Sequence, residues 1–266
     1  VPFLFSLPIA ALMSGVVGLM IAIPASRMTG LYLTIASLAF AIVVEDVIIH
    51  WESVTGGNRG MLVDVPILFG YEIFEAWEYY YIVLVLLIMS ITLVLNILRS
   101  PLGRSMLAVR DSEISAESLG IRVARTKVLA FLISASLTGL AGGLFAHFIQ
   151  FLSPETFGII LSIQLLLMVV VGGLGTVHGA VFGAILIGFL EASISILKDV
   201  LPPAIGNQPG LEPGLFGLIL VLFIIFEPEG VYGRWLKFRT FLENFPFYRR
   251  NTFKRQRSYL KTERMR

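Results

Sequence analysis

The sequence predicts an all-α fold, a polytopic bundle of transmembrane helices, and three observations carry that prediction. Hydrophobic residues make up 56% of the 266 residues, charged residues only 14%, and the mean hydropathy is +0.86. A soluble domain holds about 45–50% apolar and roughly 25% charged residues, so lipid is the main solvent of this chain. The apolar residues also fall into blocks near the ~20 residues that cross a ~30 Å hydrocarbon core. Finally, the 20 Lys and Arg residues are segregated: six lie in 99–127, eleven in 234–266, and only Arg27, Arg59 and Lys198 elsewhere.

The first apolar block is 3–25. It begins almost at Val1, so a further span upstream is expected, with a cleaved signal peptide as the alternative. The second block is 31–49. The segment 51–78 that follows carries Glu52, Asp64, Glu72, Glu75 and Glu78 against Arg59 alone, which suits an outer loop. Trp77, Tyr79, Tyr80 and Tyr81 stand where an interfacial aromatic belt is expected, at the start of a third span, 79–98. Four more blocks, 128–150, 159–172, 180–197 and 214–226, separate the two basic segments. Positive charge near span ends is retained in the cytoplasm, and an even number of crossings returns both segments to that side. The reading is therefore seven spans, or eight with one upstream, with the C-terminus inside. Blocks 159–172 and 214–226 are short, so they are expected to be broken, re-entrant or extended by their flanks.

In lipid, apolar burial does not drive helix onto helix, and close backbone approach through small residues takes over. Gly15 with Gly18, Gly139 with Gly143, and the tandem Gly175, Gly179 and Gly183 supply such faces. The run VGGLGTVHG, 171–179, has a second reading as non-helical backbone, which lipid tolerates only where protein buries it or water reaches it. Glu45 and Asp46 near the end of the second span are either solvated helix ends or pathway groups, and Glu191 suggests a polar contact between helices.

Several chemistries are excluded. The absence of cysteine removes thiol nucleophiles, disulfides, zinc-thiolate sites and iron–sulfur clusters. His50, His147 and His178 are far apart, so no metal site is expected. The chain has no G-x-x-x-x-G-K-[ST] run, so no phosphate-binding loop of that type is expected on it.

The basic loop 100–127 carries the most information. Pro101 and Gly103 are expected to stop the preceding span. Asp111 reads as the N-cap of a short helix, 112–119, with Glu113 favoured in its first turn and Gly120 closing it at C′. Two turns are too few to be stable alone in water. Ile114, Ala116 and Leu119 among Glu113 and Glu117 suit docking into another protein, or else the segment is a solvated loop with a helical turn.

The run GRSMLAVRDSEISAESLGI, 103–121, resembles the cytoplasmic loop of ABC importer permeases of the branched-chain amino acid type. The runs TKVLAFLISASLTGLAGGLFA (126–146), SPETF (153–157), SIQLLLMVVVGGLGTVHGAVFGA (162–184) and FEPEGVYG (226–233) follow in that family's order, and GLYLTIASLAFA (30–41) resembles its second block. The likeness is greatest to the M-type of its two permease subunits. One departure is Ile42, where many members carry Glu; Glu45, one turn later, is a candidate substitute.

The resemblance implies a transport subunit, not an enzyme, of an ATP-driven importer for branched-chain or other hydrophobic amino acids. A urea or short-amide permease of the same family is the alternative, and an ATP-independent carrier or channel and an intramembrane enzyme are the rivals from other classes. It also implies a permease domain over 1–233 with a coupling loop at 99–127, followed by a basic cytoplasmic tail over 234–266 that meets anionic lipid or the ATPase. Asp111, Glu113, Ala116, Glu117, Gly120 and Ile121 would lie at or beside an ATPase, and Gly172, Gly173, Gly175, Gly179 and Glu45 near the translocation pathway. The implied partners are a second permease subunit, two ATP-binding cassette ATPases, a solute-binding receptor and membrane lipid, with no nucleic acid. No cofactor is expected on this chain, since ATP and Mg would sit on the ATPases, and the implied location is a bacterial or archaeal cytoplasmic membrane.

Overall fold

A computed structural model describes residues 3–28, 30–68, 70–200 and 230–243, together with Gly214, Gly217, Leu218, Val221 and Ile225. The chain is an all-α polytopic membrane bundle. It divides into two compact units, Val1–Leu161 and Ser162–Arg266.

In the first unit the long helices are α1 (Phe3–Ala25), α2 (Leu31–His50), α4 (Ala76–Arg99) and α7 (Val123–Ile149), with a short α3 (Glu52–Thr55) after α2. Two short helices, α5 (Pro101–Asp111) and α6 (Glu113–Ser118), join α4 to α7. A 3-10 turn, Pro154–Phe157, leads into α8 (Ile159–Gly172). Turn and helix make one apolar stretch of 19 residues, long enough to cross a membrane, so the short block at 159–172 is extended by its flank. The second unit contains α9 (Val177–Val200), which covers the predicted span at 180–197, and α10 (Gly230–Glu243), which runs through the predicted boundary at 233. The predicted span at 214–226, apart from five residues, and the tail beyond 243 lie outside the described residues.

The main contact of the first unit is α1 against α7, and it is made by small residues. A Cβ on Gly18 would run into Ala135, and one on Gly15 into the Ser136 hydroxyl. Facing them, a Cβ on Gly139 would collide with Ser14 and come within 2.6 Å of the Ala10 carbonyl oxygen. The Ser14 hydroxyl donates to the Ala135 carbonyl at 2.8 Å. These pairs run in opposite sense along the two helices, so α1 and α7 are antiparallel. Small residues on both sides let the two helices come into close contact, which gains dispersion where there is no hydrophobic drive.

At the end of α7 away from the basic loop, Phe3, Leu7, Ile73, Tyr79 and Leu144 form a buried cluster. The Tyr79 hydroxyl donates to the Leu144 carbonyl at 2.6 Å, bringing the start of α4 to the end of α7. Thus α1 and α4 both oppose α7, the alternation that the seven-span topology requires. The segment after α2 closes over this end. Strand β1 (Met61–Leu62) pairs antiparallel with β4 (Phe151–Leu152), while β2 (Ile67–Leu68) and β3 (Tyr71–Glu72) form a hairpin. Gln150 caps α7 with φ 61° and its carbonyl accepts from Val63 N at 2.9 Å, turning the chain into β4.

Gly139 and Gly142 provide a controlled comparison, because a Cβ on Gly142 meets nothing within 4 Å. Gly139→Ala should destabilise the bundle by about 1–3 kcal/mol through overpacking. Gly142→Ala should stabilise it by up to about 1 kcal/mol through helix propensity. Thermal unfolding of the two variants in detergent micelles measures the difference, and equal midpoints would contradict the α1–α7 contact.

Candidate functional site

The basic loop folds into a helical elbow. α4 ends at Arg99 as expected, but Pro101 does more than end a span. It occupies the first turn of α5, where its missing N–H is not needed, and the Ser100 side chain accepts from Gly103 N at 3.3 Å as the cap. Gly103 is required by space, since a Cβ there would strike the Ile97 carbonyl and the Leu98 backbone.

The predicted N-cap is displaced by one residue. Asp111 is the last residue of α5, and its carboxylate Oδ1 accepts from Arg110 Nε at 3.0 Å and Nη2 at 2.9 Å. Ser112 is extended, at φ −164° and ψ 115°, and its Oγ accepts from Ser115 N at 3.2 Å, so Ser112 caps α6. Asp and Ser are equally good caps, and the one that leaves the preceding helix takes the role. Gly120 closes α6 at φ +81° as expected. Gly120 N donates to the Glu117 carbonyl at 2.9 Å and Ile121 N to the Ala116 carbonyl at 3.0 Å, the paired bonds of a Schellman motif.

This closed helix has two faces. Ala116 is 1% exposed, and Glu113 reaches Lys127 at the foot of α7, its Oε2 2.8 Å from Nζ. Both face the bundle. Ile114 and Leu119 are exposed, at 84% and 77%, and Asp111, Glu117 and Gly120 are exposed with them, while Ile121 is half-buried. An exposed isoleucine and leucine on a helix held from behind make an apolar contact surface with an acidic rim.

The residues predicted near a pathway fall in two units, Glu45 in the first and the glycines in the second. Glu45 is half-buried on α2, and its neighbour Asp46 pairs with His50 Nδ1 at 3.3 Å across one exposed helical turn. Gly173 and Gly175 belong to the turn between α8 and α9 in the second unit, with Gly172 ending α8 and Gly179 in the first turn of α9. The non-helical backbone expected over 171–179 contracts to four residues, 173–176, with Gly173 at φ +120° and Gly175 at φ +79°. A Cβ on Gly172 would enter the backbone of Gly179 and Gly183, and one on Gly179 would lie 2.5 Å from the Gly173 carbonyl oxygen. Gly172, Gly173 and Gly179 are therefore buried in backbone contact, and Gly175 is the exposed member of the turn.

Two features went unforeseen. The first is the Glu113 to Lys127 pairing. The second is Gly230 at the start of α10, where a Cβ would lie 2.6 Å from Gly173 Cα. The glycine of the PEGVYG run thus seats on the GGLG turn. Alongside, the rings of His178 and Tyr232 meet edge to face at 5.7 Å, and Val231 packs on the buried Leu167, Val171 and Ile187. The signal that points to the second is a glycine directly before a helix, where close approach or a positive φ is the usual reason.

The sequence profile of the family described as "Branched-chain amino acid transport system / permease component" matches residues 1–226. Among curated relatives, the high-affinity branched-chain amino acid transport system permease protein LivM of Escherichia coli K12 is 32% identical over an alignment of 249 positions, covering 85% of this chain and 56% of that protein. A probable LivM of Methanocaldococcus jannaschii is 22% identical, covering 84% of this chain and 66% of the relative. The E. coli K12 permease protein LivH is 31% identical over 140 positions, 51% of this chain and 41% of that protein. The chain thus spans between about half and two thirds of the length of the LivM relatives. No solved structure matches it.

The cap assignment predicts a local effect. Ser112→Ala should loosen α6 by about 1 kcal/mol, which speeds amide exchange at Ser115 roughly fivefold. Asp111→Asn, outside the cap, should leave that amide unchanged. Hydrogen exchange read by mass spectrometry distinguishes them, and the opposite pattern would return the cap to Asp111.

Proposed function

The chain belongs to the family of branched-chain amino acid transport system permease components, and from that premise we propose that it is the membrane-spanning subunit of an ATP-driven importer. Its cargo is a branched-chain or other hydrophobic amino acid. The observation that carries the reading is the closed helix α6, whose exposed face presents Ile114, Leu119 and Glu117 at the basic end of the bundle. Six residues of helix have no stability of their own, and an exposed apolar pair on such a helix calls for a partner surface. The partner is an ATP-binding cassette ATPase, one of two, which supplies the nucleotide chemistry that this chain lacks. Relatives of both kinds, LivM and LivH permease proteins, support a pair of permease subunits.

The topology reading puts the basic loop and the C-terminus in the cytoplasm of a bacterial or archaeal cell and the β1–β4 end outside, where a solute-binding receptor delivers cargo. Movement of α6 by the ATPase switches the packed helices between two arrangements, open alternately to either side. Glu45 on α2 and the exposed Gly175 are each candidates for the pathway, and Gly172, Gly173 and Gly179 hold the α8–α9 turn in shape.

Two substitutions test the ATPase contact. Ile114→Asp removes an apolar side chain whose burial is worth about 1.5–3 kcal/mol, so ATPase retained by purified permease should fall at least about tenfold. Glu117→Lys should leave assembly in place while uptake per ATP hydrolysed drops. Wild-type ATPase retention in the first variant together with normal uptake in the second would remove α6 from the interface.

A further inference from the structure

An ion pair joins α6 to α7, and its setting gives it a role. Lys127 lies in the second turn of α7 with its side chain only 14% exposed, and its Nζ is 2.8 Å from Glu113 Oε2. A cation near a helix N-terminus opposes the helix dipole, and a nearly buried one has few waters to stabilise it. Lys127 therefore depends on a carboxylate, and Glu113, the first residue of α6, supplies it. At the other end of α6, the four residues 119–122 lead into α7 at Val123, with Gly120 and Ile121 bonded back to α6. Both ends of α6 are thus tied to the same helix, one by this short link and the other by the ion pair. The buried Ala116 and Thr126 lie between these ties, on α6 and on the foot of α7.

α7 is in turn held along its length. Its 27 residues, about 40 Å at the usual rise, are locked to α1 by Gly15, Gly18, Gly139 and Ser14, and to α4 by the Tyr79 hydroxyl. Just beyond its last turn, β4 pairs with β1.

We propose that the Glu113–Lys127 pair is a mechanical coupling that makes α6 and α7 one body, so that displacement of α6 is carried through α7 to the far face of the bundle. Glu113 and Lys127 are positioning residues. They do not contact cargo, and they set how much of the motion of α6 reaches the spans. Without the pair, α6 keeps its chain links to α5 at Ser112 and to α7 through 119–122, but its first turn is no longer fixed to α7. This role rests on the reading of α6 as the point of energy input, but its structural half stands independently of any ATPase.

The test has two arms. The chain has no cysteine, so Ser118→Cys on α6 and Ser134→Cys on α7 can carry spin labels in the otherwise wild-type protein. Both positions are exposed. The distance distribution between them should be narrow in the parent protein and clearly broader in Lys127→Gln and in Glu113→Gln. An unchanged distribution in both variants overturns the proposal, whatever the ATPase does.

The second arm uses the assembled transporter in proteoliposomes and reads amino acid moved per ATP hydrolysed. Glu113→Lys and Lys127→Glu singly should lower that ratio about tenfold, within the range usual for energetic coupling between sites. The double exchange should recover most of it, a rescue that loss of a merely structural contact would not give. If the labels respond but no ATPase associates even with the wild-type chain, the importer reading fails and the link between α6 and α7 stands. Association with an unchanged ratio in every variant keeps the importer reading and overturns the proposal.

Discussion

Everything in this structure depends on backbones being allowed to touch. Lipid tails are as apolar as leucine, so the force that assembles soluble cores is missing between spans, and only contact density and a few hydrogen bonds remain. The α1–α7 seam meets that constraint with Gly15, Gly18 and Gly139 set against Ser14, Ala135 and Ser136. The α8–α9 turn meets it with Gly172, Gly179 and Gly183, where one helix backbone occupies the place that a Cβ of the other would need. Many large side chains of α1, α2 and α4 are instead exposed, among them Leu12, Leu31, Tyr32 and Met89. That distribution is natural when small residues make the contacts and large ones face the solvent, here the acyl chains.

The spans among the described residues were legible because hydropathy and charge are properties of segments and need no knowledge of neighbours. The alternation of α1, α4 and α7 was legible for the same reason, since crossing parity follows from where the basic residues lie. Local chemistry was harder. Pro101 reads equally as the end of one helix or the first turn of the next, and only the Ser100 cap decides it. Asp111 and Ser112 are adjacent residues of equal capping power, and the choice between them depends on where α5 ends. Gly120 was readable because a glycine after a short polar helix has one common use.

Contacts between distant segments were not legible. The small residues of α1 and α7 mark faces that can pack, but nothing in a glycine says which other glycine-bearing helix it will meet. The same holds for Gly173 and Gly230, whose runs were each conspicuous and whose meeting was not foreseen. Glu113 and Lys127 lie in one basic loop, yet pairing them requires knowing that α6 folds back along α7 in a single register. Registers of this kind come from packing, and a sequence read alone contains only the candidates.

The two glycine contacts differ in what they permit. Across the α1–α7 seam the close atoms are largely side chains, Ser14, Ala135 and Ser136. α1 carries Pro8 and Pro24 within its helix, whereas α7 has no proline, so the uninterrupted ladder of the seam is that of α7. The α8–α9 turn is of another kind: four residues of non-helical backbone, two glycines at positive φ, and a third glycine from α10 pressed on them. Positive φ at Gly173 and Gly175 gives the turn a conformation that side chains would resist, and Gly230 presses on it. Within one chain, then, the same residue type lines a continuous helix at α7 and shapes a tight turn at Gly173–Thr176. What separates them is whether the helical hydrogen-bond ladder runs through the contact or stops there.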